Sequence, residues 1–196
     1  NGFSVTSTND GGFAITGVTR SLGDNDGDAW LIKVSGSGAI QWERTYGGED
    51  TEFGRAIQQT VDGGYIIIGQ TESFGVGSSD AYLLKTDSEG NEMWSQTFGG
   101  QGTDQGRYVV ETADQGYLIS GYTDSFGASG GFNFWMIKTN SLGESEWQRF
   151  YGEHGDDRGL SGIQTSDGGY AIAGYTSSGG SNSSNILFIK TDDNGN

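Results

Sequence analysis

Apolar positions in this chain fall in short runs of five to seven residues, rich in Ile, Tyr, Trp, Phe and Thr and bounded by Gly, Asn, Asp and Ser. Runs of that length and composition predict β-strands, and no window sustains a helical period. The runs recur. The string Asp-Gly-Gly-aromatic starts at Asp10, Asp62 and Asp167, and at Asp114 with Gln115 in place of the first glycine, at intervals of 52, 52 and 53 residues. After each turn comes an apolar run ending in Gly-x-Thr: FAITGVT (Phe13 to Thr19), YIIIGQT (Tyr65 to Thr71), YLISGYT (Tyr117 to Thr123) and YAIAGYT (Tyr170 to Thr176). A loop of Gly, Ser and Asp then leads to AWLIKV, AYLLKT, FWMIKT and ILFIKT, and a further turn to segments holding Trp42, Trp94 and Trp147. With the run before each Asp-Gly turn (RAIQQT, Arg55 to Thr60), every unit has four strands, predicted near residues 3–8, 13–19, 29–34 and 41–46 and repeating by 52 or 53. Four strands in about 52 residues, joined by tight turns and repeated, predict an all-β fold, a β-propeller of four-stranded antiparallel blades. The blades fall at about 1–52, 53–104, 105–157 and 158–196.

The stretch from Gly47 to Trp94 (GGEDTEFGRAIQQTVDGGYIIIGQTESFGVGSSDAYLLKTDSEGNEMW) resembles the bacterial and archaeal seven-bladed β-propeller repeat family. Its units share Gly-Gly, an acidic-x-Gly opening, Asp-Gly before an aromatic strand, Gly-x-Thr, and Asp before a Lys-ending strand. The resemblance covers essentially the whole chain. It implies an extracellular or cell-surface protein and transfers almost no site. Only four repeats are present here, and the fourth lacks its outer Trp strand. A strand from outside residues 1–196 is therefore expected to pair beside ILFIKT, supplied by the chain's own extension or by a neighbouring molecule in self-assembly.

Composition narrows the function. Glycine supplies 37 of 196 residues, while the 12% of aromatic residues is too high for a disordered polar chain. The formal charge of -16 repels a phosphate backbone, which argues against nucleic acid as a partner. No apolar run is long enough for a membrane span. With one histidine, His154, and no cysteine, a His-based triad, a zinc site and thiol chemistry are disfavoured.

The repeated positions read first as scaffolding. The turn aspartates accept backbone N–H bonds. Gly17, Gly69, Gly121 and Gly174 interrupt strands and suggest bulges or close backbone approach. Lys33, Lys85, Lys138 and Lys190 suit a charge ladder with neighbouring acids. One loop differs from its copies: Asp24, Asp26 and Asp28 stand at alternate positions and can converge on one Ca²⁺, a hard cation that wants six to eight oxygens. The alternative is a solvated acidic turn. A candidate ligand-binding face collects Glu52, Asp104 and Asp157, with Arg55 and Arg107 at the mouth of the innermost strands. Acidic pairs there could serve glycoside hydrolysis, or form a solvated rim. No catalytic constellation stands out. The leading reading is a non-catalytic surface module for binding, adhesion or assembly with a protein or glycan partner; the alternatives are a carbohydrate-binding propeller and, behind it, a glycan-active enzyme.

Overall fold

The structure, a computed structural model, describes residues 1–22, 26–127, 130–177 and 184–196. The chain is all-β, and no helix occurs among the described residues, so none is long and apolar enough to cross a membrane. Among the described residues fifteen strands form four antiparallel sheets in chain order. The first holds β1 (Gly2–Ser7), β2 (Phe13–Thr19), β3 (Asp28–Val34) and β4 (Ile40–Tyr46). The second holds β5 (Glu52–Gln59), β6 (Tyr65–Thr71), β7 (Asp80–Thr86) and β8 (Glu92–Phe98), and the third β9 (Asp104–Glu111), β10 (Tyr117–Thr123), β11 (Asn133–Thr139) and β12 (Ser145–Tyr151). The fourth has three strands, β13 (Asp157–Gln164), β14 (Tyr170–Thr176) and β15 (Asn185–Thr191). Each sheet is a meander in which neighbours in sequence are neighbours in space. The expected first strand of the second unit, Arg55–Thr60, starts too late. Glu52–Gly54 reads as a glycine-bearing loop, yet it pairs with Gly69–Thr71.

The Asp-Gly turns show why their residues recur. In the second sheet the Thr60 hydroxyl and the Gly64 N–H both donate to Asp62 Oδ1, and Lys85 Nζ reaches Asp62 Oδ2 at 2.8 Å while also donating to the Thr86 carbonyl. Lys33, Lys138 and Lys190 repeat the pair with Asp10, Asp114 and Asp167. The expected ladder is thus a set of intrasheet locks tying the third strand to the turn before the second. Burial opposes ionisation of Asp114, but hydrogen bonds from Lys138, Thr112 and the Gly116 N–H override it and hold the carboxyl at about 2.

Sheets pack face to face in sequence. Ala14 and Leu31 of the first meet Ile57, Tyr65, Ile67 and Leu84 of the second. Ile66, Ile68 and Leu83 meet Val109, Ile119, Trp135 and Ile137 of the third, and Phe134 and Met136 meet Tyr170 and Ile172 of the fourth. Because alternate side chains of β6 serve opposite neighbours, the strand is apolar on both faces, and all seven of its residues are buried. Each outer tryptophan edges onto the tyrosine that opens the next sheet's second strand: Trp42 on Tyr65, Trp94 on Tyr117 and Trp147 on Tyr170, with centroids 5.7 to 5.9 Å apart. At the ends of the series the same positions lie open. Val5 is 62% exposed where its counterpart Ile57 is 7%, and Ile186 is 87% exposed where Phe134 is 0%.

Candidate functional site

The strand-interrupting glycines do produce bulges. Gly54 faces Gly69 and Ala56 faces Ile68, so Arg55 is an extra residue without a cross-strand partner. The same step leaves out Phe3 between Gly2 and Ser4, Arg107 between Gly106 and Tyr108, and Leu160 between Gly159 and Ser161. The glycine opposite is required. A Cβ on Gly69 would lie 1.6 Å from the Phe53 carbonyl oxygen, so a side chain there would push the bulged strand away. A bulge re-aims the side chain it carries. The innermost strands of successive sheets lie side by side, β1 by β5, β5 by β9 and β9 by β13, so the re-aimed side chains form a row.

Along that row the Arg55 guanidinium lies 4.6 Å from the Phe3 ring centroid and 4.5 Å from that of Phe53, and its Nη2 donates to Gln70 Oε1 at 3.3 Å. Burial, then the charge of Arg107, holds Arg55 below the usual arginine range, while Tyr122 acts in the opposite direction. Tyr122 is the hub. Its ring lies 5.6 Å from the Arg107 guanidinium and 4.4 Å from that of Arg158, and its hydroxyl donates to Gln105 Oε1. Arg158 also covers Phe132 at 4.4 Å and pairs with Asp156 at 3.4 Å. Among the described residues neither Arg55 nor Arg107 forms an ion pair. The Nε atoms of Arg55 and Arg158 are buried with no hydrogen-bond partner among the described residues. Beside Arg158 a groove of about 770 Å³ runs over Gly102, Asp124, Ser125, Phe126, Phe132 and Asp156.

The three acids of the expected binding face stand elsewhere. Glu52, Asp104 and Asp157 open the innermost strands and are buried at the junctions between sheets. Their backbone N–H groups donate to carbonyls of the preceding sheet's loop, at Gly27, Ser79 and Phe132. Glu52 takes the Gly48 N–H, the Thr71 hydroxyl and the Ser73 N–H; Asp104 Oδ2 takes the Gly100 N–H and the Ser125 hydroxyl. A Cβ on Gly99 would lie 1.8 Å from Asp80 Oδ1 and 2.7 Å from Asp104 Oδ2, so two buried carboxylates flank one glycine. Gly47 stands likewise between Asp28 and Glu52, and Gly152 between Asn133 and Asp157. Burial, together with the charge of Asp104, raises the Asp80 pKa against the pull of the Val76 N–H. These acids organise loops, and the solvated-rim reading does not fit them.

Of the expected calcium ligands, Asp24 lies outside the described residues. Asp28 is buried beside Glu52, and the Asp26 carbonyl accepts from Arg20 Nε and the Thr51 hydroxyl. Among the described residues no group of three or more His, Asp or Glu side chains is placed to hold a metal ion. Sequence reasoning singled out Arg55 and Arg107 but missed Arg158, Phe53, Gln70, Gln105 and Tyr122. The glycines it read as bulges were the signal, because the residue opposite and its neighbours follow from the register. No family model and no curated protein matches the chain.

Proposed function

We propose that this chain is a propeller-type repeat module of the kind its sequence resembles, extracellular or on the cell surface, that binds a partner along its innermost strands and does not catalyse. One observation carries the reading. The four bulges are structurally repeated, yet the side chains they present, Phe3, Arg55, Arg107 and Leu160, differ in size and charge. Packing alone favours the same residue at the same place in every repeat, as at Lys33, Lys85, Lys138 and Lys190. Constant geometry with varied chemistry is what a recognition surface requires. A glycan is supported as partner by a second observation: Phe74 and Phe126 occupy the same loop position in two sheets and expose part of a ring, the second beside Asp124 and Ser125 at the groove. The test is a glycan array and a peptide library probed with the chain and with a variant in which Phe3, Arg55, Arg107 and Leu160 are all alanine. Saturable binding lost in the variant is the expected result. Chemical turnover of the bound compound, or binding indifferent to the four substitutions, would overturn the reading.

A further inference from the structure

Six arginines serve a chain that carries 26 acids, and half of the six stand on neighbouring innermost strands: Arg107 and Arg158 both meet the Tyr122 ring, and Arg55 lies on β5 beside β9, where the charge of Arg107 acts on it. Like charges brought together out of water repel, and a buried donor without an acceptor is costly. The nearby acids do not relieve this. Glu52 and the Oδ2 atom of Asp104 accept from loop amides and hydroxyls, Asp104 Oδ1 has no partner among the described residues, and Asp156, which also takes the Phe132 N–H, pairs with Arg158 alone of the three arginines. The Nε atoms of Arg55 and Arg158 are therefore donors that meet no acceptor among the described residues.

We infer that Arg55, Arg107 and Arg158 form a binding site for a single oxyanion, a carboxylate or a sulfate ester, carried by a small ligand. This rests on the binding-module reading and names the class of ligand. A guanidinium presents parallel N–H donors that match the two oxygens of a carboxylate or sulfate, and the rings of Phe3, Phe53, Tyr122 and Phe132 hold the forks in plane before the ligand arrives. The net charge of -16 repels a polyanion from a distance. A lone charge meets a weaker barrier, screened over about 8 Å at physiological ionic strength, and then finds the local excess of positive charge.

The test is an NMR titration of the arginine Nε–Hε resonances of the 196-residue chain with glucuronate, glucose 6-sulfate and glucose at constant ionic strength. The Arg55 and Arg158 signals are expected to move saturably with one or both anions and to stay in place with glucose, the better of the two anions identifying the headgroup. R107Q should weaken the anion at least tenfold, and R107K, which keeps the charge but not the fork, should weaken it too. R44Q, over the distant Trp42 ring, should leave it unchanged. Absence of saturable movement with either anion, equal movement with glucose, or unaltered affinity in both Arg107 variants overturns the site. Saturable binding of a neutral glycan or a peptide with silent arginine signals overturns the oxyanion site and leaves the binding module standing.

Discussion

The two positions after each turn aspartate respond differently to a Cβ. At Gly63 φ is 85° and nothing lies within 4 Å of a built Cβ, whereas at Gly64 that atom would sit 2.1 Å from the Thr86 carbonyl oxygen. The first position needs only a left-handed backbone; the second needs empty space. Gln115, at φ 65°, shows that the first can hold a side chain at the expense of strain. Gly63→Ala should therefore cost about 1–2 kcal/mol, the left-handed penalty. Gly64→Ala should cost more, about 3 kcal/mol, since overpacking must push a strand aside. Gln115→Gly should stabilise by less than about 1 kcal/mol, the relief of strain being partly offset by the greater freedom of glycine in the unfolded chain. Urea midpoints would rank them Gly64→Ala lowest, then Gly63→Ala, the natural chain and Gln115→Gly. Equal midpoints for the two alanine variants would show that the third strand yields at no cost.

At the scale of strands and turns, much was legible because the signals are local. Turn residues, short apolar runs and the Lys-ending strand each announce themselves within ten residues, and the bulges were visible as Gly69 and its copies. Burial of Glu52, Asp104 and Asp157 was not, because it is decided by a loop of the preceding sheet about 25 residues away in sequence. A charged residue beside glycines looks the same in a rim as in a junction. The junctions do carry a natural comparison, since Asn133 stands where the first two have Asp28 and Asp80. Asp80 has its pKa raised by burial and by Asp104, so its charged form is disfavoured in the folded state. The sign follows: wild type is relatively most stable below the unfolded value of about 3.9, and loses that advantage as pH rises through the folded value. Asp80→Asn removes the charge and keeps an acceptor for the Val76 N–H. Its denaturation midpoint at pH 7 should match or exceed that of wild type, and its lead should shrink toward pH 3.5. A variant that is weaker at pH 7 and recovers in acid would mean that the carboxylate charge itself holds the junction.

Across the whole molecule, stability is distributed as in a linear array, in which each sheet is supported by the neighbours it touches. The second and third sheets are covered on both faces, while the first shows Val5 and the fourth shows Ile186 and Phe188 to solvent. The three-stranded fourth sheet also leaves the outer side of β15 unpaired among the described residues. Local opening should therefore be easiest at both ends. Amides of β15 are expected to exchange faster than those of β7, which lies between β6 and β8 and is buried throughout. The same gradient fixes the response to truncation. Ile68→Ala empties a place in the cluster joining the second and third sheets and should cost about 2–5 kcal/mol, whereas Ile186→Ala should stay within about 0.5 kcal/mol. Hydrogen exchange resolved by strand, with urea unfolding of the two variants, checks both expectations on one sample. Equal protection of β15 and β7, with comparable losses from both substitutions, would mean that the open face of the fourth sheet is covered in solution and that the array does not end there.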